Sequence, residues 1–261
     1  MPERPGGAAT TTVDQWLGGR LMLRQPKKGH RVGSDAALLA AAAPAATWIV
    51  DVGAGVGAVG LAIALRFPEA RVDLIEIDPE LSALAMENAA ANGLGARARV
   101  VTADATLARS RRAGGLKDGE ADLVVTNPPF FEADKVRASP EPGRAQAHVL
   151  SDEGDAAHRG IEAWIRGALA LLRPSGRFVM IHRPDALAVI LAALEGRLGA
   201  IAILPIHPRA DTPAHRLLIA GIKGARAPLG IRPGLVLHDA AGGFTPRVEA
   251  LHRGEAAIDW G

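Results

Sequence analysis

From Thr47 onward, short apolar runs alternate with segments of helical spacing. The runs WIVDV (48–52), RVDLIEID (71–78), ARVVTAD (98–104), ADLVVTN (121–127), GRFVMIHR (176–183), AIAILPIH (200–207) and HRLLIAGIKG (215–224) read as strands. They are nearly continuous in Val, Ile and Leu, the pattern expected when both faces of a sheet are covered. Between them, VGLAIALRF, PELSALAMENAAANG, GIEAWIRGALALLR and DALAVILAALEGRLG carry the helical period. Strands alternating with helices predict a mainly parallel sheet with helices on both faces, built by right-handed crossovers. One connection exceeds the roughly 12–15 residues of ordinary loops, from Asn127 to about Asp152, and marks the working edge. The first dozen residues, MPERPGGAATTT, have no period and read as a disordered tail over 1–13, followed by a segment over 14–46 and a main domain over 47–261.

Composition narrows the class. The chain has 261 residues, is 48% hydrophobic and has no Cys, which removes disulfides, cysteine-based zinc sites and thiol nucleophiles. No uncharged apolar run approaches the roughly 18 residues of a membrane span, and Met1 to Thr12 has no secretory apolar stretch. A soluble cytoplasmic protein with no membrane partner is the expectation. Lys+Arg 30 against Asp+Glu 28 is compatible with nucleic acid without demanding it. His residues do not cluster at ligand spacing, so no metal site is expected. Monomer and dimer are both open.

The stretch DVGAGVGAVG, Asp51 to Gly60, follows a strand and opens a helix, the context in which a glycine-rich turn binds a nucleotide-like cofactor. Gly53, Gly55 and Gly57 allow a sharp turn and a close approach to a ligand. The turn by itself fits a nicotinamide dinucleotide or S-adenosyl-L-methionine (SAM). Asp51 separates them, because its carboxylate repels a pyrophosphate and suits the cationic methionine end of SAM. At the end of the next strand, Glu76 is positioned to accept from both ribose hydroxyls, with Ile77 beside it on the cofactor. Asp78, before Pro79, reads as a helix cap. Asp104 is placed to accept from an adenine amino group, with the Ala105 N–H nearby, although Asp104 also fits a helix N-cap.

The stretch NPPFF, Asn127 to Phe131, closes the fourth strand, which runs beside the glycine strand. An amine on a purine is a poor nucleophile because its lone pair is delocalised. Acceptors on its two N–H groups restore tetrahedral character and aim the lone pair, and the Asn127 side-chain oxygen with the Pro128 carbonyl supplies them. Pro129 stiffens that carbonyl, and Phe130 stacks on the base.

The set Asp51-Val-Gly-Ala-Gly-Val-Gly57, Glu76, Asp104 and Asn127-Pro-Pro-Phe130 resembles the class I SAM-dependent methyltransferases of the N-P-P-[YFW] group, which methylate planar amines. Over most of 14–261 the chain is similar to the bacterial tRNA valine adenine-N6 methyltransferase family, through KKGHRVGSDAALLAAAA (27–43) and NPPFFEADKVRASP (127–140). The resemblance implies a Rossmann-like, seven-stranded, mostly parallel sheet and methyl transfer from SAM to adenine N6 in tRNA. It further implies that Arg31, Gly33, Ser34 and Asp35 close over the cofactor pocket. Ser34 and Asp35 also fit a plain helix cap. Phe131 joins Phe130 at the base. Lys27, Lys28 and His30, and Arg209 in the loop HPRADTPAHR (207–216), are the candidates for RNA contact. Guanine N2 in ribosomal RNA and a glutamine amide in a release factor remain the alternative substrates, since both use closely related motifs.

Overall fold

The computed structural model describes residues 11–28, 31–129 and 160–260. His30, Phe130, Phe131 and most of the long connection after Asn127 lie outside the described residues. Within them, no helix is long and apolar enough to cross a membrane.

The chain opens with an antiparallel hairpin, β1 (Thr11–Trp16) and β2 (Leu21–Pro26). Thr11, Thr12 and Val13 therefore belong to a strand, which corrects the disordered tail expected over 1–13. The reason is pairing across the turn: Thr and Val fit a half-buried pleated surface once a partner strand is present. In β2, Leu21, Leu23 and Gln25 are buried while Met22 and Arg24 face out, the period-two alternation of one covered face.

After α1 (Ser34–Ala42), the strands β3 (Trp48–Val52), β4 (Arg71–Glu76), β5 (Ala98–Thr102), β6 (Ala121–Thr126) and β7 (Leu172–His182) pair in parallel. The intervening helices are α2 (Ala58–Arg66), α3 (Pro79–Ala91), α4 (Ala108–Ala113) and α5 (Gly160–Leu171). Next come α6 (Leu187–Leu194), β8 (Leu198–His207) and β9 (Arg216–Lys223), with β9 antiparallel to both β7 and β8. Across the sheet the order is β5, β4, β3, β6, β7, β9, β8. The seven expected strands are all present. Two strands of two residues each, β10 (Gly230–Ile231) and β11 (Leu235–Val236), also pair with β8 and make the sheet nine-stranded, before α7 (Pro246–His252). Two residues are too few to show a period, which is why the sequence pattern does not register them.

Successive strand residues feed opposite layers: Leu123 and Val125 join the core on one side, Val124 the core on the other. The order places β3 between β4 and β6, where the direction of winding reverses. Ligands of open α/β sheets bind at the carboxyl ends of the strands flanking such a switch point.

Candidate active site

At that point, the carboxyl ends of β3, β4, β5 and β6 bring together the glycine turn, Glu76, Asp104 and Asn127. Gly53, Gly55 and Gly57 have φ of 74°, 56° and 88°, the left-handed region that glycine enters without strain. Gly53 has a second reason to be glycine: a Cβ there would stand 2.6 Å from Cζ2 of Trp164. A Cβ on Gly55 would meet no heavy atom within 4 Å, so the turn leaves open space on that side.

Glu76, 8% exposed, organises this turn. Its Oε2 accepts from Gly55 N–H at 2.8 Å, and Oε1 accepts from Ile77 N–H and Asp78 N–H, each at 2.9 Å. A ribose diol reaching Glu76 shares these oxygens with the backbone amides. Ile77 is 43% exposed, an apolar side chain left uncovered at the strand end. Asp78 caps α3 through Glu80 N–H and Leu81 N–H, as expected.

Asp51 lies deeper than its reading as a partner for the methionine end implies. It is 1% exposed, and Oδ2 accepts from Gly60 N–H at 2.9 Å in the first turn of α2. Burial is the main cause that raises its carboxyl to about 7; the Gly60 amide opposes this and the Glu76 charge adds to it. Asp51 is thus a strut under the turn, held by the Gly60 amide rather than presented at the surface.

Asp104 Oδ1 accepts from Thr106 N–H at 2.8 Å and from the Thr106 hydroxyl at 2.6 Å. It therefore shapes the turn after β5 and does not cap α4, whose N-cap is Leu107. Ala105 is buried, and its carbonyl accepts from Arg111 Nη1. Arg111 is itself buried and paired with Asp118, although it looks like a solvated residue in the sequence.

At the β6 end, Asn127 is half-buried, Pro128 buried and Pro129 exposed. Just before it, the Thr126 hydroxyl donates to Val52 C=O at 2.8 Å and accepts the indole N–H of Trp164 at 2.9 Å. This relay joins the residue before Gly53 to the residue before Asn127, locking the two halves of the site together. Trp164 comes from α5, is 7% exposed, and the sequence gives no local sign of its role.

Of the segment expected to close over the site, His30 lies outside the described residues. Lys27 and Lys28 are exposed after β2. Arg31 turns away to the hairpin, donating to Asp14 Oδ2 at 2.7 Å and to Thr12 Oγ1 and Pro26 C=O. Gly33 is the N-cap of α1, which has no side-chain cap, so Ser34 and Asp35 are not the cap. Asp35 instead accepts from Arg216 Nε at 2.7 Å, an ion pair between α1 and β9. Arg209 is exposed in the β8–β9 loop.

The buried Asn88 of α3 is likewise invisible to motif reading. Its Nδ2 donates to Val56 C=O of the glycine turn and to Arg24 C=O, both at 2.9 Å, and its Oδ1 accepts from Arg24 N–H at 2.7 Å. One helical turn on, Asn92 makes the same pair of bonds to Met22. Two asparagines thus hold the exposed edge of β2 as a neighbouring strand would, and Asn88 connects that hairpin to the cofactor turn.

Comparison with known proteins decides the class. Residues 29–198 match the family model described as the methyltransferase small domain. The chain belongs to this family. A tRNA1(Val) (adenine(37)-N6)-methyltransferase of Porphyromonas gingivalis is 32% identical over 85% of this chain and 86% of its own length. A release factor glutamine methyltransferase of Cereibacter sphaeroides is 33% identical over 64% of this chain and 57% of its own length. Among solved structures, a chain from Agrobacterium tumefaciens described as a predicted O-methyltransferase superposes with a TM-score of 0.70 at 35% identity, covering 86% of this chain and 98% of that one. This methyltransferase uses SAM, and it has the class I α/β fold. The site fits that cofactor by its own chemistry: an open glycine cradle, an acid at the second strand end and an uncovered apolar residue beside it. Among the described residues, no group of three or more His, Asp or Glu stands ready to hold a metal.

Proposed function

We propose that this methyltransferase methylates the exocyclic amine of adenine, N6, in tRNA. The observation that carries the reading is the position of Asn127-Pro128-Pro129 at the carboxyl end of β6, hydrogen-bonded through Thr126 to the strand that leads into the glycine turn. Bound SAM supplies an electrophilic methyl group. The protein supplies orientation: the Asn127 side-chain oxygen and the Pro128 carbonyl accept the two amine hydrogens, and the rigid prolines fix the direction in which the lone pair points. After transfer the nitrogen is cationic, and the proton it sheds passes to solvent, the two acceptors only orienting the N–H bonds. Phe130 and Phe131 hold the base, and Lys27, Lys28, His30 and Arg209 hold phosphates, a largely sequence-independent and salt-sensitive contribution. Relatives named as tRNA adenine-N6 methyltransferases, aligned over most of both chains, support this substrate.

The glutamine amide of a release factor is the second reading, favoured by the relative that acts under that name. The test offers the enzyme labelled SAM with unmodified tRNA, ribosomal RNA and release factors in separate reactions, then digests and identifies the methylated product. N6-methyladenosine from tRNA is expected. N2-methylguanosine or N5-methylglutamine overturns the substrate while leaving the class of enzyme intact.

A further inference from the structure

The C-terminal segment beyond β9 lies outside the matched family region and has no part in the site described above. It is not filler. β11 runs parallel to β8 at its carboxyl end, pairing Leu235 with Ile206 and Val236 with His207. The segment that follows therefore emerges at the same edge of the sheet as Asn127. The chain then makes a tight turn, in which His238 and Phe244 form an antiparallel bridge. Directly opposed residues of this kind bring their side chains together. Here the His238 and Phe244 rings stack with centroids 4.8 Å apart and planes 24° apart, while His252 of α7 meets Phe244 edge-on at 4.5 Å.

Three features make this a built platform rather than a loose loop. Asp239 Oδ1 accepts from Ala241 N–H and Gly243 N–H, fixing the turn. His238 Nδ1 lies 3.0 Å from Pro208 C=O, tying the turn to the β8–β9 loop. Burial lowers the His252 pKa, keeping a neutral ring against Phe244. Yet Phe244 itself is 37% exposed, in a chain with five Phe and no Tyr, where an aromatic left in water calls for a reason. A cation stands beside the same turn. Arg209 Nη2 lies 3.9 Å from where a Cβ of Gly242 would be. The nearest carboxylates in sequence are turned to their own loops: Asp211 takes the Thr212 hydroxyl, and Asp239 takes its two amides.

We infer that Phe244, stacked on His238 in a turn that Arg209 borders at Gly242, is a second base-binding platform that holds an unpaired nucleotide of the RNA substrate while the target base occupies the Asn127 site. The inference rests on the RNA reading above. An exposed aromatic beside an arginine is the pairing that single-stranded RNA uses, base on ring and phosphate on guanidinium. Four strand spacings of about 4.8 Å separate β6 from β11 across the sheet, a span of about 19 Å. That distance suits a nucleotide a few positions from the target in an opened loop, and it is too far for the target base itself.

The test measures the affinity of unmodified bulk tRNA for the wild type, Phe244→Leu, Phe244→Trp and Arg209→Gln, along with KM for tRNA, the Kd of SAM and the melting temperature. Leucine keeps the apolar bulk and removes the ring. Phe244→Leu is expected to weaken tRNA binding by about 5- to 150-fold, the equivalent of one lost stacked base, with Kd for SAM unmoved. Phe244→Trp restores it. Arg209→Gln lowers the slope of log affinity against log salt by about one. Wild-type tRNA affinity in Phe244→Leu overturns the platform alone, as does an equal loss in the Leu and Trp variants accompanied by a fall in Tm, which reports packing. A wild-type enzyme that methylates release factor and no RNA overturns the RNA reading and the platform with it.

Discussion

Thr126→Val tests whether the site is held together from behind. Valine keeps the shape of threonine and deletes one oxygen, the oxygen that donates to Val52 C=O and accepts from the Trp164 indole N–H. Thr126 is fully buried and Trp164 nearly so, so no water replaces the lost partner. A buried donor or acceptor left without its bond costs about 1–3 kcal/mol, and the substitution orphans one of each, for about 2–6 kcal/mol together. For a domain of this size, about 2–4 °C of Tm accompanies each kcal/mol, so the melting temperature falls by about 4–24 °C. Because the oxygen fixes the residue before Asn127, kcat falls more than the affinity for SAM. A double-mutant cycle with Trp164→Phe isolates the bond: once the valine is present, losing the indole N–H removes an unsatisfied group, so the double variant is less destabilised than the sum of the singles by about 1–3 kcal/mol. Thermal unfolding and steady-state kinetics of all four proteins provide the measurement. Additive energies, or a Thr126→Val enzyme with wild-type Tm and kcat, would refute the relay.

Other consequences follow from the same geometry. Gly53→Ala drives a Cβ to 2.6 Å from the Trp164 ring at a φ of 74°, combining about 1–2 kcal/mol of left-handed strain with about 1–3 kcal/mol of overpacking; calorimetry is expected to show weakened SAM binding and a lowered Tm. Asn88→Asp turns the donor to Val56 and Arg24 carbonyls into an acceptor, loosening the hairpin and the cofactor turn at once, so SAM affinity falls with Tm, whereas a loss of Tm alone would remove Asn88 from the site. The Asp51 carboxyl is raised from 3.8 to about 7, so its contribution to stability is fully present below about pH 4 and is lost as pH rises through about 7. At about 1.4 kcal/mol for each tenfold change in proton affinity, the loss is on the order of 4 kcal/mol. Asp51→Asn removes that slope in denaturant titrations between about pH 4 and 8; parallel curves for the two proteins would contradict the burial argument.

The parts of the site readable in the sequence are those written within a few residues. Gly53 to Gly57 after an apolar run, Glu76 at the next strand end and Asn127-Pro128-Pro129 after another all sit where strand meets turn, and local signals mark such junctions. Residues whose role depends on a partner far along the chain are not readable in this way. Trp164 reaches Thr126 across 38 residues, Asn88 holds Arg24 across 64, and Asp35 meets Arg216 across 181. Nothing in the composition near Arg31 indicates that Asp14 holds it. The tail boundary is misplaced because Thr11 to Val13 become a strand only through β2, and the platform at Phe244 is hidden because His238 opposes it only after the turn closes. Asp51 stands out in the sequence ahead of the glycines, but its depth does not, since burial is set by the helix packed over it.

Asn127→Ala gives the most direct test of the central claim, that this residue aims an amine at the methyl group. Methyl transfer from labelled SAM to unmodified tRNA is measured alongside the Kd of SAM for wild type and variant. The expected result is an unchanged Kd for SAM with transfer reduced by about 100-fold or more, the scale of losing one preorganised polar group in a reaction site. Transfer at the wild-type rate would contradict the claim.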